Sequence, residues 1–137
     1  MQRLKTRPQF QAALAGVTVA RTAHFALHRC ALSAAPDTGV ALFDAPGVWL
    51  GAMVPKRWAR RAVTRNAIKR QIYVQATAHA GTLPEAAHVV RLRAAFDRKE
   101  FVSASSDRLK AAVRLELAQL FARSRAADPT AGARAAP

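Results

Sequence analysis

The chain has 137 residues, of which 22 are Lys or Arg and 8 are Asp or Glu, giving a formal net charge of +14. That length allows one domain with a modest core, and a composition 51% hydrophobic excludes a chain too polar to fold. No run approaches the roughly 20 apolar residues of a membrane span, so the excess charge points to a polyanionic partner, nucleic acid or an anionic membrane surface.

The segment RLKTRPQFQAALAG predicts a short helix, with Pro8 in its first turn, Gly16 at its stop, and Phe10, Ala13 and Leu14 on one face. VTVARTAHFALHRCALS has period-2 character, Phe25 and Leu27 on one side and His24, His28 and Cys30 on the other. APDTG is turn chemistry, VALFDAPG a short strand and turn, and VWLGAMV a buried strand closed by Pro55. VTRNAIKRQIYVQATAH then predicts a helix of about four turns, AAHVVRLRA a strand, and SSDRLKAAVRLELAQLFARS a final helix. That helix has a Ser/Asp start and an apolar stripe of Leu109, Val113, Leu117 and Leu120. The expected fold class is an α/β (α+β) sandwich in the order α-β-β-β-α-β-α, helices packed on a mostly antiparallel four-stranded sheet. Residues 1–124 form its single domain, and 125–137, rich in Pro, Gly and Ala, a disordered tail.

KRWARRAVTRNAIKR, residues 56–70, carries seven Lys or Arg and no acid, and no Asp or Glu occurs from Ala45 to Pro84. At about 100° per residue, Arg65, Asn66, Lys69, Arg70, Tyr73 and Thr77 share one helix face, with Val63, Ala67, Ile68, Ile72 and Val74 around the rest. Arg61–Arg65 and Arg65–Lys69 are like-charged pairs at i,i+4, which repel unless a polyanion relieves them. The arginine fork matches phosphate oxygens, Asn66 can read a sugar hydroxyl or base edge, and Tyr73 offers a ring for stacking. A membrane anchor would need large apolar residues beside the charges, where this helix has mostly Ala, Val and Ile. Five phosphate contacts would give a log–log salt slope of about −3.5, at about −0.7 each.

Arg65-Asn66-Ala67-Ile68-Lys69-Arg70, after a strand and a basic loop, resembles the Arg-Asn-Arg-x-Lys-Arg signature of the protein subunit of bacterial ribonuclease P. The basic opening RLKTRPQFQ, the run VPKRWARRAVTRNAIKR, the strand AHVVRLR and the terminal amphipathic helix also fall in that family's order, so the resemblance covers residues 3–124. It implies a subunit that docks on a catalytic RNA and contacts the 5′ leader of precursor tRNA, promoting endonucleolytic leader removal. The chemistry would lie on the RNA, with Mg²⁺ bound mainly by RNA and substrate and no protein ligand. By the same resemblance, Arg60, Arg61, Arg65, Asn66, Lys69 and Arg70 meet the catalytic RNA. Phe10, His28, Lys56 and Arg57 line the leader cleft, and a left-handed β-α-β crossover runs through the helix. The chain departs from the pattern at Ala67 (usually arginine), Tyr73 (commonly basic), Val74 (frequently acidic), Leu14 (often aromatic) and His28 (often tyrosine). Each absent aromatic–base contact would weaken leader stacking by about 1–3 kcal/mol.

No motif gives the chain chemistry of its own. The acids are scattered, all six glycines are isolated, and Ser103, Ser105 and Ser106 read as helix caps. His24 and His28 have zinc-like spacing but no cysteine pair beside them, so they read as surface or cleft histidines. Cys30, the single cysteine, reads as a small apolar residue in a reducing compartment. The acid-free N-terminus imitates a transit peptide, but the Arg/Ala bias continues to the end, and the expected location is the bacterial cytoplasm. Catalytic RNA and precursor tRNA are the expected partners, with no membrane and no small-molecule ligand. A ribosomal-type or chaperone RNA binder, or a DNA binder, would share the charge; the latter would need a partner helix before 63–79.

Overall fold

The computed structural model describes residues 1–32, 42–96 and 107–127. Its elements in chain order are β1 (Gln2–Arg3), α1 (Arg7–Ala15), β2 (Val17–Arg21), β3 (Phe25–Cys30), β4 (Trp49–Met53), α2 (Ala62–Ala78), β5 (Ala87–Leu92) and α3 (Asp107–Ala127), with a 3₁₀ turn at Ala80–Thr82. The strands form one sheet in the order β1-β4-β5-β3-β2.

The mixed α/β class is as expected, but the sheet has five strands where four were expected. Its pairings divide evenly rather than being mostly antiparallel. β1–β4 and β4–β5 are parallel, β3–β5 and β2–β3 antiparallel. Three local causes account for the difference. The opening residues add a two-residue edge strand, held by Gln2 and Leu4 amides donating to the Val48 and Leu50 carbonyls. The stretch after Gly16 folds back as a hairpin, because Thr22 closes its turn: the Thr22 amide donates to the Phe25 carbonyl, and the Phe25 amide donates to Thr22 Oγ1. The described part of VALFDAPG, from Leu42, forms no strand, and Gly47 at φ 108° belongs to its turn.

α1 starts where its sequence predicts. Thr6 and Gln9 form a reciprocal capping box, and the Gln9 amide nitrogen donates to the Leu42 carbonyl at 2.8 Å. Alternation along the central strands divides the core in two. Phe25, Leu27, Leu50, Ala52, Val90 and Leu92 point to the face covered by α2 and α3. Trp49, Ala87 and Val89 point to the other, where they meet Leu4 and Ala13 beneath α1. The predicted stripe of α3 is buried throughout, extended by Phe121. Glu116, on the same helix, accepts from Thr22 Oγ1 at 2.6 Å, from the His24 amide at 2.7 Å and contacts His24 Nδ1 at 2.7 Å, so α3 is pinned to the β2–β3 turn. His24 therefore sits in that turn and pairs with a carboxylate, not on a strand beside His28. Arg125–Ala127, placed by the sequence in the tail, continue α3. Ser103, Ser105, Ser106 and the rest of that tail lie outside the described residues.

The α1–β2 junction approaches β3 so closely that a Cβ on Gly16 would lie 2.1 Å from the Arg29 carbonyl oxygen. Because the obstacle is backbone, Gly16→Ala should destabilise the fold by about 1–3 kcal/mol in chemical denaturation, the cost of overpacking. An unchanged midpoint would contradict this packing.

Candidate nucleic-acid interface

α2 presents the motif. Ile68, Ile72 and Ala76 are buried against the sheet and α3, which turns Asn66, Lys69, Arg70 and Thr77 into solvent. The helix N-cap, Arg61, makes no side-chain capping bond, and the first turn has no acid. Lys56, Arg57, Arg60 and Arg61, all exposed, therefore gather near a helix end whose dipole is itself positive. The ion pair between described residues, His24–Glu116, involves none of them.

Two predicted face residues have structural duties. Arg65 Nη1 donates to the carbonyls of Ala59 at 3.0 Å and Arg60 at 2.8 Å, stapling the basic loop to α2. The Tyr73 ring is half-buried under the Arg3 guanidinium, 4.0 Å from its centroid, and its hydroxyl accepts the Ala52 amide at 3.3 Å. It is not the free stacking ring that its place on the helical arc implied. Val63 and Val74, expected on the apolar body, are each 52% exposed. Sequence reasoning missed Arg3, which joins Lys69, Arg70, Tyr73, Val74 and Thr77 around a groove of about 580 Å³. It also missed Lys110 of α3, which faces Asn66 and Arg70 across a second groove of about 320 Å³. Pairing between β1 and β4 and packing between α2 and α3 create these neighbours, and neither is a local sequence signal.

Of the predicted cleft residues, Phe10 and His28 lie on the opposite face of the sheet. Strand register stacks three rows there. Trp49, Ala87 and Cys30 form the first; Gly51, Val89, His28 and Thr18 the second; Met53, Arg91, Ala26 and Arg21 the third. The Phe10 ring lies over Gly51, where an added Cβ would come within 2.5 Å of it. Lys56 and Arg57 follow the end of β4, and the Arg57 guanidinium sits 5.2 Å from the Trp58 ring centroid. His28 does not face solvent: it is buried, with Nδ1 3.2 Å from Thr18 Oγ1 and Nε2 accepting from Arg91 Nε at 3.2 Å. Accepting at Nε2 leaves the hydrogen on Nδ1, which donates to Thr18. Cys30 is half-buried, and burial pushes its thiol pKa up, which favours the protonated thiol. Among the described residues, no group of three or more His, Cys, Asp or Glu comes together as a metal donor set, and no helix is long and apolar enough to cross a membrane.

Burial first, then the charges of Arg91 and Arg21, lower the His28 pKa from its ordinary 6.5. The unfolded chain therefore takes up this proton at a higher pH than the folded one. Stability held by the neutral ring is complete above about pH 6.5 and is lost as pH falls through the lower, folded value. His28→Gln keeps an acceptor and a donor but cannot titrate. Between about pH 7.5 and about pH 5 its melting temperature should fall less than that of the unaltered protein. Equal falls would show that His28 does not carry this linkage.

Residues 1–122 match the family described as Ribonuclease P. The ribonuclease P protein components of Bordetella parapertussis and Bordetella bronchiseptica are each 35% identical to the chain over 121 residues, which is 88% of this chain and 89% of theirs. The fold is similar to that of the Staphylococcus aureus RNase P protein, with a TM-score of 0.64 at 18% identity, covering 93% of this chain and 99% of that one. With its basic loop and Arg-Asn-x-Ile-Lys-Arg helix set on that fold, the chain belongs to the ribonuclease P protein family.

Proposed function

We propose that the chain is the protein subunit of a bacterial, cytoplasmic ribonuclease P ribonucleoprotein, binding the catalytic RNA through α2 and its preceding loop and the 5′ leader of precursor tRNA through the cleft beneath α1. The observation that carries the reading is the cationic surface of Arg60, Arg61, Asn66, Lys69 and Arg70, exposed and without a described acid paired to it. Such a surface repels itself until phosphates arrive, and binding then releases the RNA's counterions. Arg65 contributes by holding the loop arginines against α2, through the Ala59 and Arg60 carbonyls. In this reading Mg²⁺ held by the RNA and the precursor supplies the hydrolytic chemistry. The chain's residues bind, orient and neutralise charge, so that two polyanions can meet.

The test is 5′-end cleavage of a precursor tRNA at low Mg²⁺ by bacterial ribonuclease P RNA, with and without this protein, and with protein alone. Cleavage that needs both components is expected. Cleavage by protein alone would overturn the division of labour, and tight RNA binding without stimulation would leave only a general RNA binder. Lys69→Ala with Arg70→Ala should weaken docking on the catalytic RNA and reduce the magnitude of the log–log salt slope by about 1.4, from two contacts at about 0.7 each. An unchanged slope would remove α2 from the interface.

A further inference from the structure

α2 and α3 pack side by side on one face of the sheet, and between them lies the groove of about 320 Å³ that Lys110 enters from α3. Residues four apart form rows along a helix, and two rows of α2 line this groove. Val63, Ala67 and Gln71 make one, Asn66 and Arg70 the other. Ala67 and Gln71 are half-buried while Asn66 and Arg70 are exposed, so the first row is the floor and the second the outer rim. The floor is hollow because Ala67 offers only a methyl group between Val63 and Gln71. Val63, although apolar, is 52% exposed there. Lys110, half-buried, forms the opposite wall and faces Arg70 with no described acid paired to either. Among the described residues, no hydrogen bond or ion pair engages the side chain of Asn66, Arg70, Gln71 or Lys110.

Three chemistries therefore converge in one groove: an apolar floor, two amides and two facing cations. A phosphate alone would use the cations and leave the rest idle, as would an acidic side chain. An unstacked nucleotide uses all three. Its ring buries apolar area on the floor, its edge has the donors and acceptors that an amide complements, and its flanking phosphates relieve the repulsion between the cations. Unpaired bases splayed from loops and bulges are also where proteins read folded RNA. We propose that the α2–α3 groove takes one unstacked nucleotide of the catalytic RNA, which makes α3 a second RNA-binding element beside α2. The base lies on Val63 and Ala67, Asn66 and Gln71 bond its edge, and Arg70 and Lys110 hold the phosphates on either side. This rests on the catalytic-RNA reading of α2 given above, and adds to it a base-reading site and a contact from another helix.

The experiment measures affinity of the full chain for bacterial ribonuclease P RNA over a salt series, and probes base edges in the bound RNA with dimethyl sulfate and carbodiimide. Ala67→Leu fills the floor without altering charge, so it should weaken binding about tenfold and leave the log–log salt slope unchanged. Lys110→Ala should weaken binding and reduce the magnitude of that slope by about 0.7, one phosphate contact. A base protected by the unaltered protein should become reactive with Ala67→Leu and with Gln71→Ala. If thermal unfolding shows that Ala67→Leu does not fold, Gln71→Ala decides by the same probing. Lys69→Ala with Arg61→Ala, outside the groove, reports on the subunit reading separately. Affinity lost in that pair but kept in every groove variant would overturn the groove and leave the subunit reading intact. Affinity lost with Lys110→Ala, with no base changing reactivity in either floor variant, would overturn the nucleotide in favour of a bare phosphate contact. An unaltered chain with no affinity for the RNA would overturn both readings.

Discussion

The parallel pairing of β4 with β5 is the constraint on which the rest of the molecule depends. Two adjacent parallel strands cannot be joined by a hairpin, so the chain between them must cross a face of the sheet, and α2 is that crossover. Its docking is fixed by Ile68, Ile72 and Ala76, and this orientation puts Asn66, Lys69 and Arg70 into solvent. With α2 and α3 on one face, α1 packs on the other. Trp49, Ala87 and Val89 are buried there, and Arg91 is not. One pairing thus supplies a rigid core and two separate cationic surfaces, one on a helix and one on the opposite side of the sheet.

Charge explains why these surfaces persist in a fold they do not help to stabilise. Repulsion between neighbouring cations on one helix face costs a few tenths of a kcal/mol per pair, small against the about 2–5 kcal/mol that a core residue such as Ile72 contributes relative to alanine. The core can therefore carry an uncompensated basic surface. Glu116, which might have neutralised part of it, is instead committed to Thr22 and His24. In the proposed reading a polyanion lowers this repulsion, and affinity would then depend steeply on salt.

Much of this was legible in the sequence because its signals are local. Pro8 and Gly16 bound α1, the stripe from Leu109 to Leu120 predicts the buried side of α3, and Phe25 and Leu27 oppose His28 and Cys30 as alternation requires. What was not legible depends on partners far along the chain. The arc of α2 places Arg65 and Tyr73 among free cations and rings, but Arg65 is drawn to loop carbonyls and Tyr73 is roofed by Arg3 from β1. The sequence alone makes His28 a cleft residue, and only the register across β2, β3 and β5 shows it beneath Arg91. Arg91 did leave a signal: a charge two residues after Val89 interrupts the apolar alternation on one face of β5.

The central claim is that the two cationic surfaces hold two different RNAs. Its most direct measurement is site-specific photocrosslinking in the reconstituted holoenzyme, with single cysteines at Val74→Cys on α2 and Lys56→Cys beside the cleft, each in a Cys30→Ala background. The account predicts crosslinks from position 74 to the catalytic RNA and from position 56 to the precursor leader. Crosslinks from both positions to the same RNA would contradict it.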